Sequence, residues 1–124
     1  MLLPVVVTPK ELQARTKRFA VDVIVLCREL PPTSDGRELS RQLFRAGTSV
    51  AANYRAACRG RSRAEFIAKL GIVLEESDES LFWLQLIVDS KMKPLARIEQ
   101  LLDEANQLTA IFTSSLKTAK GNRS

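Results

Sequence analysis

The sequence predicts an all-α fold, a single-domain, antiparallel up-down-up-down four-helix bundle. Four long segments carry apolar residues mostly three or four positions apart, the spacing of one buried helix face. The 124 residues suit one domain, and none of the five prolines lies in the interior of a long segment. Short connections make successive helices antiparallel. The predicted helices cover residues 9–30, 37–59, 63–89 and 95–117 of a domain that spans 1–124.

Helix one begins with a capping pattern. Thr8 is an N-cap residue, Pro9 suits the first helical position, and Glu11 completes a capping box. We expect the helix to stop at Pro31 and Pro32, because proline lacks the amide that an interior helical residue donates. Its predicted core seam consists of Leu12, Thr16, Phe19, Val23, Leu26 and Leu30.

Helix two follows a predicted loop over residues 33–36 and runs from Arg37 to Arg59. Gly60 comes directly after it, and glycine is common just past a helix C-terminus. One face of this helix is apolar or small, which predicts that this face packs against the other helices. That face holds Leu39, Leu43, Ala46, Gly47, Val50 and Ala57.

Helices three and four follow with little connecting chain. Ser62 and Glu65 form a second capping box, so helix three starts at once, and residues 90–94 connect it to helix four. The predicted core of helix three is Phe66, Leu70, Val73, Leu74, Ser77, Leu81, Leu84 and Val88. The predicted core of helix four is Leu95, Ile98, Leu101, Leu102, Ala105, Leu108, Phe112 and Leu116.

Helices one and three carry more apolar residues than one buried face needs. Opposite the core seam, helix one has Val21 and Val25. On helix three the extra residues are Ile72, Trp83 and Leu86. Exposed apolar patches mark association surfaces, although scattered surface hydrophobic residues are also normal on monomers. We favour association, and expect a homo-oligomer that forms through these five residues.

The strongest functional signal lies between residues 37 and 63, where seven arginines face a single acid, Glu38. Four of them share one face of helix two, because the steps of four, ten and four between them are near-multiples of 3.6 residues. These four are Arg41, Arg45, Arg55 and Arg59. An unbalanced cationic face predicts a polyanion or an acidic protein surface as partner. The candidates for nucleic-acid binding are Arg41, Arg45, Arg55, Arg59, Arg61 and Arg63.

Pairing with acids is the competing explanation for these arginines. Helix three carries Glu75, Glu76 and Glu79. These acids would pair with arginines of helix two, either within one subunit or across an interface. Arg45 is the weakest candidate for surface binding, because it lies beside a run of small residues and can be drawn into an internal ion pair.

Asn53 lies at the edge of the apolar face of helix two, beside Tyr54, which we expect to pack in the core. A buried amide needs hydrogen-bond partners. A helix carbonyl, or a residue of helix three such as Ser77 or Asp78, would supply one. We favour a structural role for Asn53, in which it fixes the helix register, over a contact with a ligand.

The composition argues against an enzyme. The chain has no histidine, which removes the commonest general base and metal ligand, and it has no nucleotide-binding, hydrolase or zinc-site motif. We therefore expect no catalytic residue, no metal and no cofactor. Cys27 and Cys58 lack the spacing of a metal site, and we expect them to be reduced, small core residues.

Charge and hydropathy indicate the cellular location of the protein. The net charge is +5 and the pI about 9.6, which is basic but less extreme than in many dedicated nucleic-acid binders. Residues 1–10 are apolar but lack the basic start and cleavage site of a signal peptide, and no apolar run nears the roughly 20 residues of a membrane span. We expect a cytoplasmic protein with no membrane partner.

Three stretches resemble a known family: Arg45–Arg55, Arg61–Phe66 and Gly71–Glu79. They follow the pattern R-x-[AG]-x-S-[IV]-x-x-N, then [RS]-x-x-E-F, then an apolar helix with acidic positions. Over nearly its whole length the chain is similar to bacterial four-helix-bundle proteins encoded inside intervening sequences of 23S ribosomal RNA. The matched positions are Arg45, Ser49, Asn53, Glu65 and Phe66.

The resemblance implies a bundle that assembles into a ring-like homopentamer. A related accessory protein of diversity-generating retroelements forms a basic pentamer that binds a reverse transcriptase and nucleic acid, so the resemblance implies partners of these kinds. Many members continue after the asparagine with I-A-E-G. This chain has Tyr54-Arg55-Ala56-Ala57 instead, so no role of that Glu-Gly pair is carried over.

Three functions stay open on the sequence. The first, which we favour, is a non-enzymatic oligomeric scaffold whose basic surface binds RNA or DNA through phosphates, without reading bases. The second is a protein-interaction adaptor that docks an acidic partner such as a reverse transcriptase. The third is a purely structural oligomer in which the arginines pair with acids.

Overall fold

A computed structural model describes residues 7–121 as four α-helices. Helix α1 spans Pro9–Glu29, α2 spans Ser34–Cys58, α3 spans Arg63–Asp89 and α4 spans Leu95–Gly121. Between residues 7 and 121 there is no β-strand, which confirms the predicted all-α class. No helix in this part of the chain is long and apolar enough to cross a membrane.

Helix α2 begins at Ser34, three residues before the predicted start, so the predicted loop over residues 33–36 is wrong. Thr33 has an extended backbone and its hydroxyl accepts the Gly36 amide at 3.2 Å, which caps the helix. Gly36 is not a loop glycine. A Cβ there would lie 2.1 Å from the Pro31 carbonyl oxygen, so glycine permits this close approach of the chain.

The two predicted capping boxes differ in the structure. At α1, the Glu11 amide donates to the Thr8 hydroxyl at 3.1 Å and the Thr8 amide donates to the Glu11 carboxylate at 3.3 Å, which completes the box. At α3, the Ser62 hydroxyl accepts the Glu65 amide at 3.1 Å. The Glu65 carboxylate, however, accepts the backbone amide of Arg61 at 2.6 Å. These two hydrogen bonds tie Arg61 and Ser62, which precede α3, to Glu65 in the first turn of the helix.

The core is formed by residues of all four helices. Helix α2 packs between α1 and α3, and α4 packs mainly against α3. Helices α1 and α4 meet over a smaller surface, where Arg15 pairs with Glu104 and Arg97 pairs with Glu29. The fully enclosed large side chains are Phe19, Val23, Leu26, Leu43, Val50, Leu70, Val73, Leu84, Ile87, Ile98, Leu108 and Phe112.

The buried face of α3 differs in part from the predicted one. Ser80 and Ile87 are fully buried although neither was predicted, because α3 packs against both α2 and α4 and therefore buries a wider face than one stripe. Leu95 of α4, predicted as core, is 51% exposed, since it is the first residue of its helix. The predicted core residues of α3 that are only partly buried are Phe66, Leu74, Leu81 and Val88.

Two close contacts join helices. A Cβ at Gly47 would lie 2.9 Å from both γ-carbons of Val23, so this glycine lets α2 approach α1 closely. Tyr54 of α2 is buried, as expected, with its ring centroid 5.4 Å from that of Phe112 on α4. Burial raises the pKa of the Tyr54 phenol, which is therefore a neutral packing group rather than a titrating one.

Both cysteines have free thiols, and both are half-buried rather than fully in the core. The Cys27 thiol donates to the Ser40 carbonyl at 3.4 Å, between α1 and α2. Burial raises the pKa of the Cys27 thiol, which keeps this sulfur in the unreactive neutral form.

Candidate nucleic-acid interface

The structure separates the six candidate arginines by their partners. Arg45 extends from α2 to α3, where its guanidinium donates to Glu76 at 2.9 Å and also pairs with Glu79. Glu79 accepts a further bond from the indole of Trp83 at 3.0 Å. Arg45 is therefore a cross-helix ion-pair residue, which agrees with its place as the weakest candidate for surface binding.

Arg41 is neutralised within its own helix. Its guanidinium donates to the Glu38 carboxylate at 2.6 Å, one turn earlier, and the same carboxylate accepts Gln42 at 3.1 Å. The hydrogen bond from Arg41 lowers the pKa of Glu38, so this acid stays ionised opposite the arginine. Arg41 thus adds little net positive charge to the outer face of α2.

Four arginines differ from these two. Each is exposed, and among residues 7–121 none of the four has a carboxylate oxygen within ion-pair distance. The Nη2 of Arg63 also donates to the Ala119 carbonyl, in the α4 backbone, at 2.7 Å. The four residues are Arg55, Arg59, Arg61 and Arg63.

Local backbone geometry brings these four residues together. The Arg59 amide bonds back to the carbonyls of Ala56 and Ala57, which ends α2, and the Gly60 amide bonds to Ala57 at 3.1 Å. Helix α3 starts at Arg63, so only residues 59–62 connect it to α2. The end of α2, this short connection and the start of α3 therefore hold their arginines close together.

Charge is distributed unequally over the helices. Helix α3 has six acidic and two basic residues, whereas α1 has five basic and three acidic ones. Glu76 and Glu79 are taken up by Arg45, but Glu75 and Asp78 are exposed and, in the described part of the chain, make no ion pair. The predicted pairing of helix-two arginines with helix three thus involves Arg45 alone.

The five predicted association residues fall into two groups. Val21, Val25 and Ile72 are exposed, Val21 by 50%, as an association surface requires. Trp83 and Leu86 are partly buried instead. Trp83 packs against the core and donates to Glu79, while Leu86 lines a groove that also includes Leu39 and Met92.

Two exposed aromatic residues were not predicted from the sequence. Phe44 of α2 is 48% exposed and Phe82 of α3 is 50% exposed. Phe82 lies against the edge of the Trp83 ring, at a centroid distance of 5.2 Å. One signal could have identified Phe44, because it is a large apolar residue between Arg41 and Arg45, on the charged side of the helix.

Asn53 makes its hydrogen bond within α2. Its amide nitrogen donates to the Ser49 carbonyl at 2.9 Å, one of the two kinds of partner that we expected. The alternative partner on α3, Ser77, bonds instead to the Thr109 hydroxyl of α4 at 2.8 Å. The amide of Asn53 therefore satisfies a local carbonyl, and the α3–α4 pair has its own polar contact in the core.

A groove of about 540 Å³ lies between α1 and α2, beside the arginine face. Small residues of both helices line it, together with Lys17 of α1 and Arg55 of α2. Its remaining lining residues are Gln13, Ala14, Thr48, Ala51 and Ala52. Within residues 7–121, no three histidine, cysteine, aspartate or glutamate side chains are grouped so that they could hold a metal ion.

Comparison with known proteins places the chain in a family. The sequence pattern of the 23S rRNA-intervening sequence proteins matches residues 10–114. A crystal structure of a protein of unknown function from the S23 ribosomal protein family of Bacteroides thetaiotaomicron is similar, with a TM-score of 0.80 and 30% sequence identity over 86% of this chain and 98% of that one. No functionally curated protein matches significantly. The chain therefore belongs to the family of 23S rRNA-intervening sequence proteins.

Proposed function

We propose that this protein is a non-enzymatic, oligomeric helical-bundle scaffold that binds nucleic acid through phosphate contacts. The observation that carries the proposal is the unpaired state, among the described residues, of four exposed arginines at the end of α2 and the start of α3. Two of the six candidates, Arg41 and Arg45, are engaged with carboxylates and are not part of the proposed surface.

Arginine suits phosphate because its planar guanidinium presents several donors to the phosphate oxygens. Contacts of this kind release counterions from the nucleic acid, so affinity falls as salt rises. They position a nucleic acid without reading its sequence. We therefore propose binding with little base preference.

The proposed subunit is an up-down-up-down bundle. Cross-helix contacts support the antiparallel order, because Arg15, early in α1, pairs with Glu104, while Glu29, at the end of α1, pairs with Arg97, early in α4. In the same way Arg63, at the start of α3, contacts Ala119, near the end of α4.

Self-association is the second part of the proposal. Val21 and Val25 on α1, and Ile72 and Phe82 on α3, leave large apolar side chains in contact with water. Covering these surfaces with a second copy would remove that exposure. Assembly as a ring-like homopentamer follows from the family resemblance alone. A ring would repeat the arginine cluster and so multiply the phosphate contacts per particle.

A protein-interaction adaptor is the second candidate function. The groove between α1 and α2 favours it, because small lining residues permit close approach of a helix, and Lys17 and Arg55 in the same lining would pair with its acids. An acidic helix of a partner such as a reverse transcriptase would have these properties.

The test is binding of fluorescent RNA and DNA over a salt series, followed by anisotropy. Arg55→Gln with Arg59→Gln should weaken binding and make the log–log salt slope shallower by roughly one for each phosphate that the variant no longer neutralises. The matched control, Arg28→Gln with Arg41→Gln, removes the same charge elsewhere and should leave the slope unchanged. Equal weakening in both variants, or no salt-sensitive binding by the wild-type protein, would contradict the proposed function.

A further inference from the structure

The last turns of α4 add cations to the arginine cluster. Lys117 and Lys120 are exposed and, within the described chain, neither has an ion-pair partner. The hydrogen bond from Arg63 to the Ala119 carbonyl, at 2.7 Å, holds the start of α3 against this part of α4. The two lysines therefore lie beside the arginine turn, although more than 50 residues of chain separate them from it.

Acids at this end of the molecule are engaged elsewhere. Glu65 accepts the Arg61 backbone amide at 2.6 Å, and Glu11 accepts the Thr8 amide in the cap of α1. The start of α1 belongs to the same end, because Val7 and Leu12 share a groove with Ile111 of α4. These two carboxylates thus accept hydrogen bonds from backbone amides and form no ion pair with the described cationic side chains of this end.

We infer that this basic end is a binding site for double-helical nucleic acid, held through phosphates by side chains of three helices. The inference rests on the proposed function and adds to it the α4 lysines and the duplex as the class of ligand. The site consists of Arg55, Arg59, Arg61, Arg63, Lys117 and Lys120.

The placement of aromatic residues favours a duplex over a single strand. Single-strand sites combine a basic groove with aromatic rings on which bases stack. The exposed aromatic residues of the described chain, Phe44 and Phe82, lie 11 residues from Arg55 and 19 residues from Arg63 along their helices, roughly 16 and 28 Å at 1.5 Å per residue. Phe66, which is nearer, packs against the core. A duplex needs no stacking platform, and offers one charge per about 1.7 Å of axis.

The placement of apolar residues favours nucleic acid over an acidic protein. Protein interfaces have a buried centre rich in aromatic and apolar anchors. On the described surface the large exposed apolar side chains lie away from this end, and Ile72 is already nine residues into α3 from Arg63. A surface of guanidinium and ammonium groups without such a centre matches a phosphate backbone.

The experiment compares Lys117→Gln with Lys120→Gln, made together, against the wild-type protein. A 20-base-pair duplex and one of its strands serve as labelled probes, titrated by anisotropy from low to physiological salt. The wild-type protein should bind the duplex about tenfold or more tighter than the strand, in line with the higher charge density of a duplex. The double variant should show a duplex salt slope shallower by about one to two. Both lysines are exposed, so circular dichroism and the melting temperature should not change.

The matched control is Arg28→Gln with Lys91→Gln, which removes the same charge at α1 and after the far end of α3, and should leave the slope unchanged. Duplex binding that is unaffected by the lysine variant, but weakened by Arg55→Gln with Arg59→Gln, would remove α4 from the site and leave the proposed function intact. Equal or tighter binding of the single strand would overturn the duplex assignment. Tighter binding of polyglutamate than of the duplex at equal charge would identify a protein-docking surface instead.

Discussion

At the scale of single residues, chemically identical side chains have different roles because their neighbours differ. Arg45 and Arg55 lie on the same side of α2 by sequence spacing, yet Arg45 is held by two glutamates of α3 and Arg55 is not paired within the described residues. The charge of Arg45 is therefore balanced inside the subunit. The charge of Arg55 is available to a ligand.

The ion pairs of Arg45 lead to the first prediction. Arg45→Gln should lower the free energy of unfolding by about 0.5–1 kcal/mol, because the pair is partly exposed but joins one guanidinium to both Glu76 and Glu79. Nucleic-acid affinity should not change. Urea unfolding and anisotropy measure the two effects. Arg41→Gln is the control, and its destabilisation should be smaller since its partner Glu38 is local and exposed. Weakened binding with unchanged stability would return Arg45 to the ligand surface.

Two glycines provide a matched pair for the second prediction. Gly47→Ala should destabilise the protein by about 1–3 kcal/mol, because the new Cβ would lie 2.9 Å from Val23 in the tight α1–α2 contact. Gly71→Ala should stabilise it by up to about 1 kcal/mol, since nothing lies within 4 Å of a Cβ there and alanine favours helix. Thermal or urea denaturation of both variants measures the effects. A stabilising Gly47→Ala would mean that the two helices separate easily.

At the scale of the helices, α1 and α4 are joined differently from the other neighbouring pairs. They share a smaller packed surface, and at two places along it arginine–glutamate pairs connect them. At the second site Lys93 also approaches Glu29, at 3.4 Å. Polar contacts thus contribute more to the α1–α4 contact than to the contacts of α2 with α1 and α3. The stability of the α1–α4 contact should therefore be the most sensitive to pH.

The third prediction concerns that sensitivity. The hydrogen bond from Arg97 lowers the pKa of Glu29 below its ordinary value of 4.5. Stability from a carboxylate with a lowered pKa is present above 4.5 and is lost as pH falls below it through the folded-state value. The gap in urea midpoint between wild type and Glu29→Gln should be clear at pH 6 and shrink at pH 3. Glu99→Gln, an exposed neighbour on α4, is the control and should show no such gap. A gap that persists at pH 3 would exclude the ion pair as its cause.

At the scale of the whole molecule, the acidic and basic surfaces are separated. Helix α3 presents exposed acids, while the basic end combines residues from α2, α3 and α4. Four of the six large exposed apolar residues of the described chain lie on α1 and α3, and none of the six lies within the basic end. Association through the apolar faces would therefore leave the arginine cluster free to bind a ligand.

The fourth prediction tests that association. Val21→Asp should lower the particle mass in light scattering, because a charge on this half-exposed residue opposes its burial against another copy. Leu95→Asp is the matched control, with 51% exposure at the start of α4, and should leave the mass unchanged. A wild-type protein that is strictly monomeric at micromolar concentration would contradict the association proposal. Trp83→Ala is a poorer probe, since this side chain also packs against the core.

Much of the fold was predictable because its signals are local. The 3–4 apolar spacing, the Thr8 cap and Gly60 identify helix ends from neighbouring residues, and each predicted helix overlaps an observed one. The predicted loop failed at residues 34–36, which are helical. Glycine is needed at position 36 because the chain passes close to the Pro31 carbonyl there, which the residue type does not reveal. The buried face of α3 was also predicted incompletely, because two neighbouring helices define it.

The sequence by itself determined the all-α class, the four helices and the excess of arginine around the α2–α3 turn. These follow from periodicity, capping and composition within a few residues. Only the tertiary structure decided which arginines are neutralised and which cations lie together. Arg45 meets Glu76 across 31 residues of chain, and Arg63 reaches Ala119 across 56. Charges interact through space, at a strength set by distance and solvent, so their partners depend on helix packing and not on their order in the sequence.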